Sequence, residues 1–399
     1  MKKTIIYFTG VYDTLDLFTE KLRETFEEKG YVSFVYDARY EAQSKEALLD
    51  LFAQASITHP EQATCTDFVC ITFNNLGYNL DLADGRNLWE AYGVPYINIL
   101  MDHPFHYWVP LQKAPSTAIV LCTDYNHVHY VRRFYKNIHH SDFLPHAGVE
   151  LGSRHKPLAE RGIDVLYAGA LPIYTVAKMI PDLSAIPELN GEEMAQEVLG
   201  ELVRHPERTT EDVIEDYIRQ RRNDISDIRL QELIVQMRFL DSYATSFFRE
   251  QAVRILVESG IRVTAYGTGW DQCEWSDNPY LVYGGKVLAP QILPLMNDTK
   301  IVLNTMTWFK AGAHDRVFNG MLARAAVLTD GSTYLRREFA DGRELSMFSL
   351  KDLGSLPERV FGLFGHMDEA QRMANRGYEA ARERHTWKVR AEFIEECFL

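Results

Sequence analysis

Runs of apolar residues too short for a helix recur along the chain. Between them lie longer stretches whose apolar positions fall three and four apart. In the first half the runs are KTIIYFT (3–9), YVSFVY (31–36), DFVCITF (67–73), PYINILM (95–101) and TAIVLCT (117–123). They are apolar throughout rather than alternating, the pattern of strands buried on both faces. Between the first two, Leu15, Leu17, Phe18, Leu22 and Phe26 keep close to helical spacing up to Gly30, a residue suited to a helix C-terminus. Asp124 is placed to cap a helix running through Tyr130, Phe134 and Ile138. Strand–helix–strand succession of this kind predicts a parallel sheet with helices on either side.

A second series opens with IDVLYAGA (163–170). A helical stretch of about 174–259 follows, including EEMAQEVLGELVRH, EDVIEDYIRQRR and SYATSFFREQAVRILVESG, and reads as several helices inserted into a second domain. Strand-like runs then resume as IRVTAYG (261–267), PYLVYGG (279–285), KIVLN (300–304) and AAVLTD (325–330), and amphipathic helices close the chain after 350. The stretch 147–160 is polar and punctuated by Gly and Pro, and marks the expected boundary. The expected fold class is therefore α/β: two Rossmann-like, doubly wound domains with a cleft between them. The first covers 1–150. The second covers 160–384 and carries the helical insert. Ligands in such sheets bind beyond the C-terminal ends of the strands, so those ends are where chemistry is sought.

Composition narrows the choice. With 42 Lys and Arg against 56 Asp and Glu, the net charge is −14, which argues against a nucleic-acid or membrane-surface binder. A local basic pocket for a phosphate is compatible with it. Cys65, Cys70, Cys122, Cys273 and Cys397 are odd in number and form no C-x-x-C, so neither a disulfide framework nor a zinc site is expected. The start, MKKTIIYFTGVYDTLD, opens like a secretory leader, but its apolar run breaks at Asp13 and Asp16 and no small-residue cleavage site follows. It reads as a first strand, and the protein as cytoplasmic. The longest apolar run, 94–101, is far short of the roughly 20 residues a membrane helix needs.

Several strand ends carry candidate chemistry. The first ends in Thr9-Gly10, where Gly10 permits close backbone approach to a ligand. Neither G-x-G-x-x-G nor G-x-x-x-x-G-K-[ST] occurs. Asp102 and His103 follow a very apolar strand. Side by side they would serve as a general base, or a base with its orienting partner; alternatively Asp102 caps a turn and His103 packs in the interior. Eight of the 13 histidines lie between 103 and 155, but their spacing does not support a metal site. Only His103 and His106 with Asp102 come into question as ligands, and no metal is expected.

In the second half, Gly267 and Gly269 offer backbone N–H groups to a phosphate or sugar hydroxyl. Trp270 stacks on a base or sugar, or belongs to the core. Gly284-Gly285-Lys286 ends the next strand and would run along a flat nucleobase. The strongest segment is 299–330: its strand ends at Asn304, a loop bears Lys310, Gly312 and His314, and a helix opens near Asp315-Arg316. A helix N-terminus with two nearby cations makes an anion site suited to a diphosphate. The following strand ends in Thr329-Asp330.

"KIVLN", "RVFNGMLARAAVLTD", "EF", "GREL" and "HTWKVRAEFIEE" resemble, in that order, the C-terminal domain of the CgeB-like (spore maturation type) glycosyltransferases of the GT-B group. The resemblance covers 299–390, and "AYGTGW" and "YGGKV" extend it back to about 261. It implies two Rossmann-like domains facing across a cleft, the second holding a nucleotide-sugar donor and the first facing a glycan, protein or small-molecule acceptor. It also implies that 385–399 crosses back to the first domain and that neither metal nor cofactor is needed. On this pattern Lys310, Arg316 and the loop 267–269 hold the diphosphate, the backbone near Lys286 holds the base, and Asp102 or His103 deprotonates the acceptor, with Asp13 in reserve. The family usually has Glu, contacting the donor ribose, where this chain has Asn319, which hydrogen-bonds without charge. That departure keeps a degenerate, binding-only protein open, beside a nucleotide-sugar epimerase. The helical insert is expected to cover the cleft, recognise a protein acceptor or form a homodimer contact.

Overall fold

The computed structural model describes residues 3–58, 67–152, 155–172, 179–183, 186 and 189–399. The chain divides into two compact units, Met1–Val149 with His385–Leu399, and Glu150–Arg384.

The first unit is built on the parallel strands β1 (Thr4–Thr9), β2 (Val32–Asp37), β3 (Phe68–Phe73), β4 (Tyr96–Leu100), β5 (Ala118–Cys122) and β6 (His140–Phe143), in the order β2-β1-β3-β4-β5-β6. Every residue of β3 and β4 is buried, as uninterrupted apolar runs require. The helix Asp13–Glu28 turns Leu15, Phe18, Leu22 and Phe26 inward, starts with Asp13 and Asp16 in its first turn, and is followed by Gly30 at φ 87°. The helix Trp387–Phe398 belongs to this unit. Trp387 packs on Phe18 and Phe73, with ring centroids 4.7 and 5.4 Å away. Arg390 donates from Nε to the Pro145 carbonyl (2.7 Å) and from Nη2 to that of His146 (2.8 Å).

The second unit holds β7 (Ile163–Ala168), β8 (Val263–Tyr266), β9 (Leu281–Tyr283), β10 (Thr299–Asn304), β11 (Ala326–Asp330) and β12 (Ser346–Phe348). Their order is β12-β11-β10-β7-β8-β9, again all parallel. From the β9 edge this is the 3-2-1-4-5-6 order of a dinucleotide-binding sheet, whose winding reverses between β7 and β10. In the first unit the reversal falls between β1 and β3. The fold class is thus α/β, two Rossmann-like units of parallel sheet.

Three local expectations change. The helix capped by Asp124, whose carboxylate accepts from Asn126 N (2.7 Å), ends at Phe134 and does not reach Ile138. Strands β6 and β12 were not foreseen: His140-Ser141-Asp142-Phe143 and Ser346-Met347-Phe348 are short edge strands without an apolar run. The predicted stretch 174–259 becomes Gly191–Arg204, Thr210–Arg221, Asp227–Met237 and Phe239–Glu258. Residues 174–178, 184, 185, 187 and 188 of it lie outside the described residues, and the described residues between 179 and 190 are not helical.

Candidate functional site

The reversal of winding in the second unit puts the ends of β7 and β10 side by side, and two guanidinium groups meet there. Arg316 stands in the first turn of the helix Asp315–Leu322. Its Nη1 donates to Asn304 Oδ1 (2.5 Å), while Asn304 Nδ2 donates to Thr329 Oγ1 (2.8 Å). Arg249 comes from the last inserted helix. Its Nη1 donates to the Ala170 carbonyl (2.7 Å), and its Cζ stands 5.3 Å from the Trp308 ring centroid. Both reach the same backbone position: a Cβ placed on Gly169 would lie 3.3 Å from Arg316 Nη2 and 3.7 Å from Arg249 Cζ. Among the described residues no carboxylate forms an ion pair with either. Burial, and then the nearby Arg249 charge, pulls Arg316 below its ordinary pKa, opposed by Tyr167. Two cations converging on a glycine, with no carboxylate in ion-pair contact among the described residues, make a field that favours an anion.

The loop from Thr305 to His314 completes this end of the sheet. Thr307 shares a hydrogen bond with Thr245 (2.6 Å), and Lys310 Nζ donates to the Pro206 carbonyl, so the inserted helices hold the loop. His314 caps the following helix through Nδ1, which accepts from Arg316 N (3.2 Å). The same Nδ1 lies 2.5 Å from Asp315 Oδ1; burial and then the Arg316 charge lower the His314 pKa, opposed by Asp315. Asp330 is buried at the end of β11 and accepts from Met306 N (2.9 Å); burial pushes its pKa up to about 6.

The other residues expected at the donor take different parts. The N–H of Gly267 donates to the Gly285 carbonyl (3.0 Å) instead of pointing at a phosphate. A Cβ on Gly267 (φ 124°) would lie 2.6 Å from the Gly169 carbonyl carbon, and one on Gly269 (φ 98°) 1.9 Å from Leu171 O. These glycines let the loop after β8 lie against the loop after β7. Trp270 is a core residue: it is wholly buried, donates from Nε1 to Gly169 O (2.8 Å) and stands edge-on to Tyr167 and Trp275, which leaves no face for a base. Lys286 is exposed beyond the edge strand β9. Asn319 is interior, 5% exposed, and its Nδ2 donates to Asp315 Oδ2 (2.9 Å), so its amide serves its own helix.

In the first unit Gly10 (φ 87°) donates its N–H to both carboxylate oxygens of Asp16 (3.0 Å each), and a Cβ there would lie 2.4 Å from Asp37 Oδ1. The loop is closed on itself, not opened to a ligand. Asp13 is exposed at the start of its helix. Asp102 is half-buried, and its Oδ2 accepts from Tyr107 Oη (2.8 Å). His103 is not placed as a base. It is 4% exposed, accepts from Phe105 N at Nδ1 (3.1 Å), stacks on Phe105 at 3.7 Å and stands edge-on to His127 and Tyr130. Burial holds it well below the ordinary histidine pKa, so it is neutral and interior. Among the described residues no three His, Cys, Asp or Glu side chains gather as a metal site would require.

Arg249 escaped sequence reasoning because it sits inside an amphipathic helix with no glycine or strand end to mark it. Asn74 and Asn75, at φ 47° and 64° after β3, escaped too. Two asparagines directly after an apolar strand are a usable signal, since Asn tolerates the left-handed region. Asn75 N donates to Asn98 Oδ1 (2.8 Å) and Met101 N to Asn74 Oδ1 (2.9 Å), which shapes the start of the Asp102 turn.

Residues 245–396 match a family model described as glycosyl transferase-like. Among solved structures the chain is similar to the sucrose-phosphate synthase of Thermosynechococcus elongatus, at 9% identity and TM-score 0.55, over 100% of this chain and 98% of that one. An α-glucosyltransferase solved with UDP and a 13-mer DNA containing a HMU base is similar at 8% identity and TM-score 0.55, over 99% of each chain. The fold is GT-B-like. Anabaena HepE in complex with UDP-glucose has it too, at 9% identity and TM-score 0.51 over 98% of each chain. No curated protein matches the sequence. Identities this low speak for the GT-B-like fold alone. Among the described residues no helix is long and apolar enough to cross a membrane.

Proposed function

We propose that the protein is a glycosyltransferase of the CgeB-like kind, moving a sugar from a nucleotide-sugar to a glycan, protein or small-molecule acceptor without a metal ion. The observation that carries this reading is the pair Arg249 and Arg316, converging on Gly169 at the reversal of a 3-2-1-4-5-6 sheet with no carboxylate in ion-pair contact among the described residues. As the bond from the anomeric carbon to the diphosphate oxygen breaks, negative charge grows on the departing phosphate. Fixed guanidinium groups and the N-terminus of the helix Asp315–Leu322 stabilise that charge most where it is largest, in the transition state. In an inverting reaction Asp102 takes the acceptor proton, with Asp13 in reserve; a retaining one needs no such base. One Asp102 oxygen is fixed by Tyr107, an arrangement that suits a general base. Asn319 gives a second reading some support. Its amide is interior and uncharged, which suits a protein that binds nucleotide without turning it over.

Calorimetric titration with UDP, GDP, CDP, ADP and dTDP, with and without magnesium, tests the reading. Selective binding of one nucleotide, lost in Arg316→Ala and Arg249→Ala and indifferent to magnesium, is expected. Binding of none sinks it. Binding with no release of sugar from any nucleotide-sugar, across a panel of acceptors, moves the conclusion to the binding-only protein.

A further inference from the structure

We infer that Asp330 is the resident counter-charge of the donor site, holding donor affinity below what Arg249, Lys310 and Arg316 would give alone. This rests on the donor reading above and adds to it a residue that opposes binding. The geometry is specific. Asp330 ends β11 with its carboxylate buried, 5% of the residue exposed, and one oxygen fixed by Met306 N. Farther along, the loop bearing Lys310 is pinned to the segment directly after Asp330. Lys310 O accepts from Thr333 N (2.9 Å) and Oγ1 (3.1 Å), and Gly312 O from Ser332 Oγ (2.6 Å). Asp330 therefore lies under the cationic loop.

No cation stands within ion-pair distance of Asp330 among the described residues, so its charge acts on Lys310 and Arg316 through space. The other charged groups on the surrounding elements are Asp315, which opens the next helix and also acts on Arg316, His314 on the same loop, 2.5 Å from Asp315 and with its pKa lowered, and Arg336, whose Nη2 would lie 2.5 Å from a Cβ on Gly331. From β12, Phe348 pairs with Asp330 in register and brings no charge. An anionic diphosphate entering this field meets the Asp330 charge as a like charge in a poorly solvated place.

Asp330→Asn keeps the oxygen that receives Met306 N–H and removes the charge. Wild type and variant are titrated with the nucleotide-sugar of the base selected above, whose doubly esterified diphosphate keeps its charge between about pH 5 and 8. Near neutral pH the variant is expected to bind about fivefold more tightly or better. Wild-type affinity is expected to rise as pH falls through about 6, where Asp330 takes up a proton, and the variant's affinity to rise less, His314 accounting for the remainder. This pH arm needs no substitution to fold. A variant that binds equally or more weakly, or a wild type flat across this range, overturns the inference.

Sulfate at low millimolar concentration, a dianion of constant charge, separates the two readings in a thermal-shift assay. If no nucleotide-sugar binds, yet sulfate protects Asp330→Asn more than wild type and fails to protect Arg316→Gln, the counter-charge stands and the donor reading falls. If the donor binds and Asp330→Asn changes neither response, the donor reading stands and the counter-charge falls.

Discussion

Arg316 and Arg249 are not equivalent to any two positive charges. Arg316 reaches Asn304 with one nitrogen and keeps another beside Gly169, a fork that only a planar guanidinium provides. Arg316→Lys keeps the charge but cannot hold both positions. The loss of a charge-assisted hydrogen bond, about 1.5–3 kcal/mol, should weaken nucleotide binding roughly 10- to 150-fold; a lysine variant that binds like wild type by calorimetry would show that charge alone is needed. His103 makes a different prediction. Its pKa lies well below the ordinary value in the fold, through burial and then the neighbouring His106, and near 6.5 in the unfolded chain. Below about pH 6.5 the unfolded chain therefore binds a proton that the fold refuses, and stability falls as pH falls, by up to about 1.4 kcal/mol per pH unit. Asp330, with its pKa raised, works in the opposite sense between about 4 and 6. The difference between wild type and His103→Phe isolates the histidine: urea midpoints that fall below pH 6.5 in wild type should fall less in the variant. Parallel falls would place the acid sensitivity elsewhere.

At the scale of elements, the strands were legible where the sequence runs apolar without interruption, whether the strand is wholly buried like β3 and β4 or partly exposed like β2. The expected 163–170 and 325–330 became Ile163–Ala168 and Ala326–Asp330. Edge strands β6 and β12 carry no such run and were invisible. The site was legible only in part, for a related reason. Lys310, His314 and Arg316 follow a strand end and open a helix, a local pattern that sequence displays, whereas Arg249 arrives through tertiary packing. Glycines at strand ends were read as ligand contacts, because a glycine needed for a neighbouring loop looks the same in sequence. Substitution separates the two kinds. Gly269→Ala puts a methyl 1.9 Å from Leu171 O at φ 98° and should cost about 3 kcal/mol or more. Gly285→Ala, at φ 82° with nothing within 4 Å, should cost only about 1–2 kcal/mol. Equal costs by urea denaturation would mean that the β7 and β8 loops do not depend on close backbone contact.

At the scale of the whole molecule, the chain finishes its first unit last. In it Phe18, from the helix Asp13–Glu28, and Phe73, at the end of β3, face Trp387, 4.7 and 5.4 Å away between ring centroids. Lys29 and Tyr31 reach Glu395, and Arg390 satisfies the carbonyls of Pro145 and His146. The first unit therefore cannot complete its core until the whole second unit has been made. Trp387→Ala removes the central ring of that contact, a loss of about 3–5 kcal/mol. If the two units open as separate cooperative blocks, the loss falls on one of them. Slowly exchanging amides of β1, β3 and β4 should exchange about 100-fold faster or more, while those of β7, β10 and β11 keep their wild-type rates. The contrast is internal to one protein, so a general loss of stability cannot imitate it. Equal acceleration in both sheets would mean that the units open together.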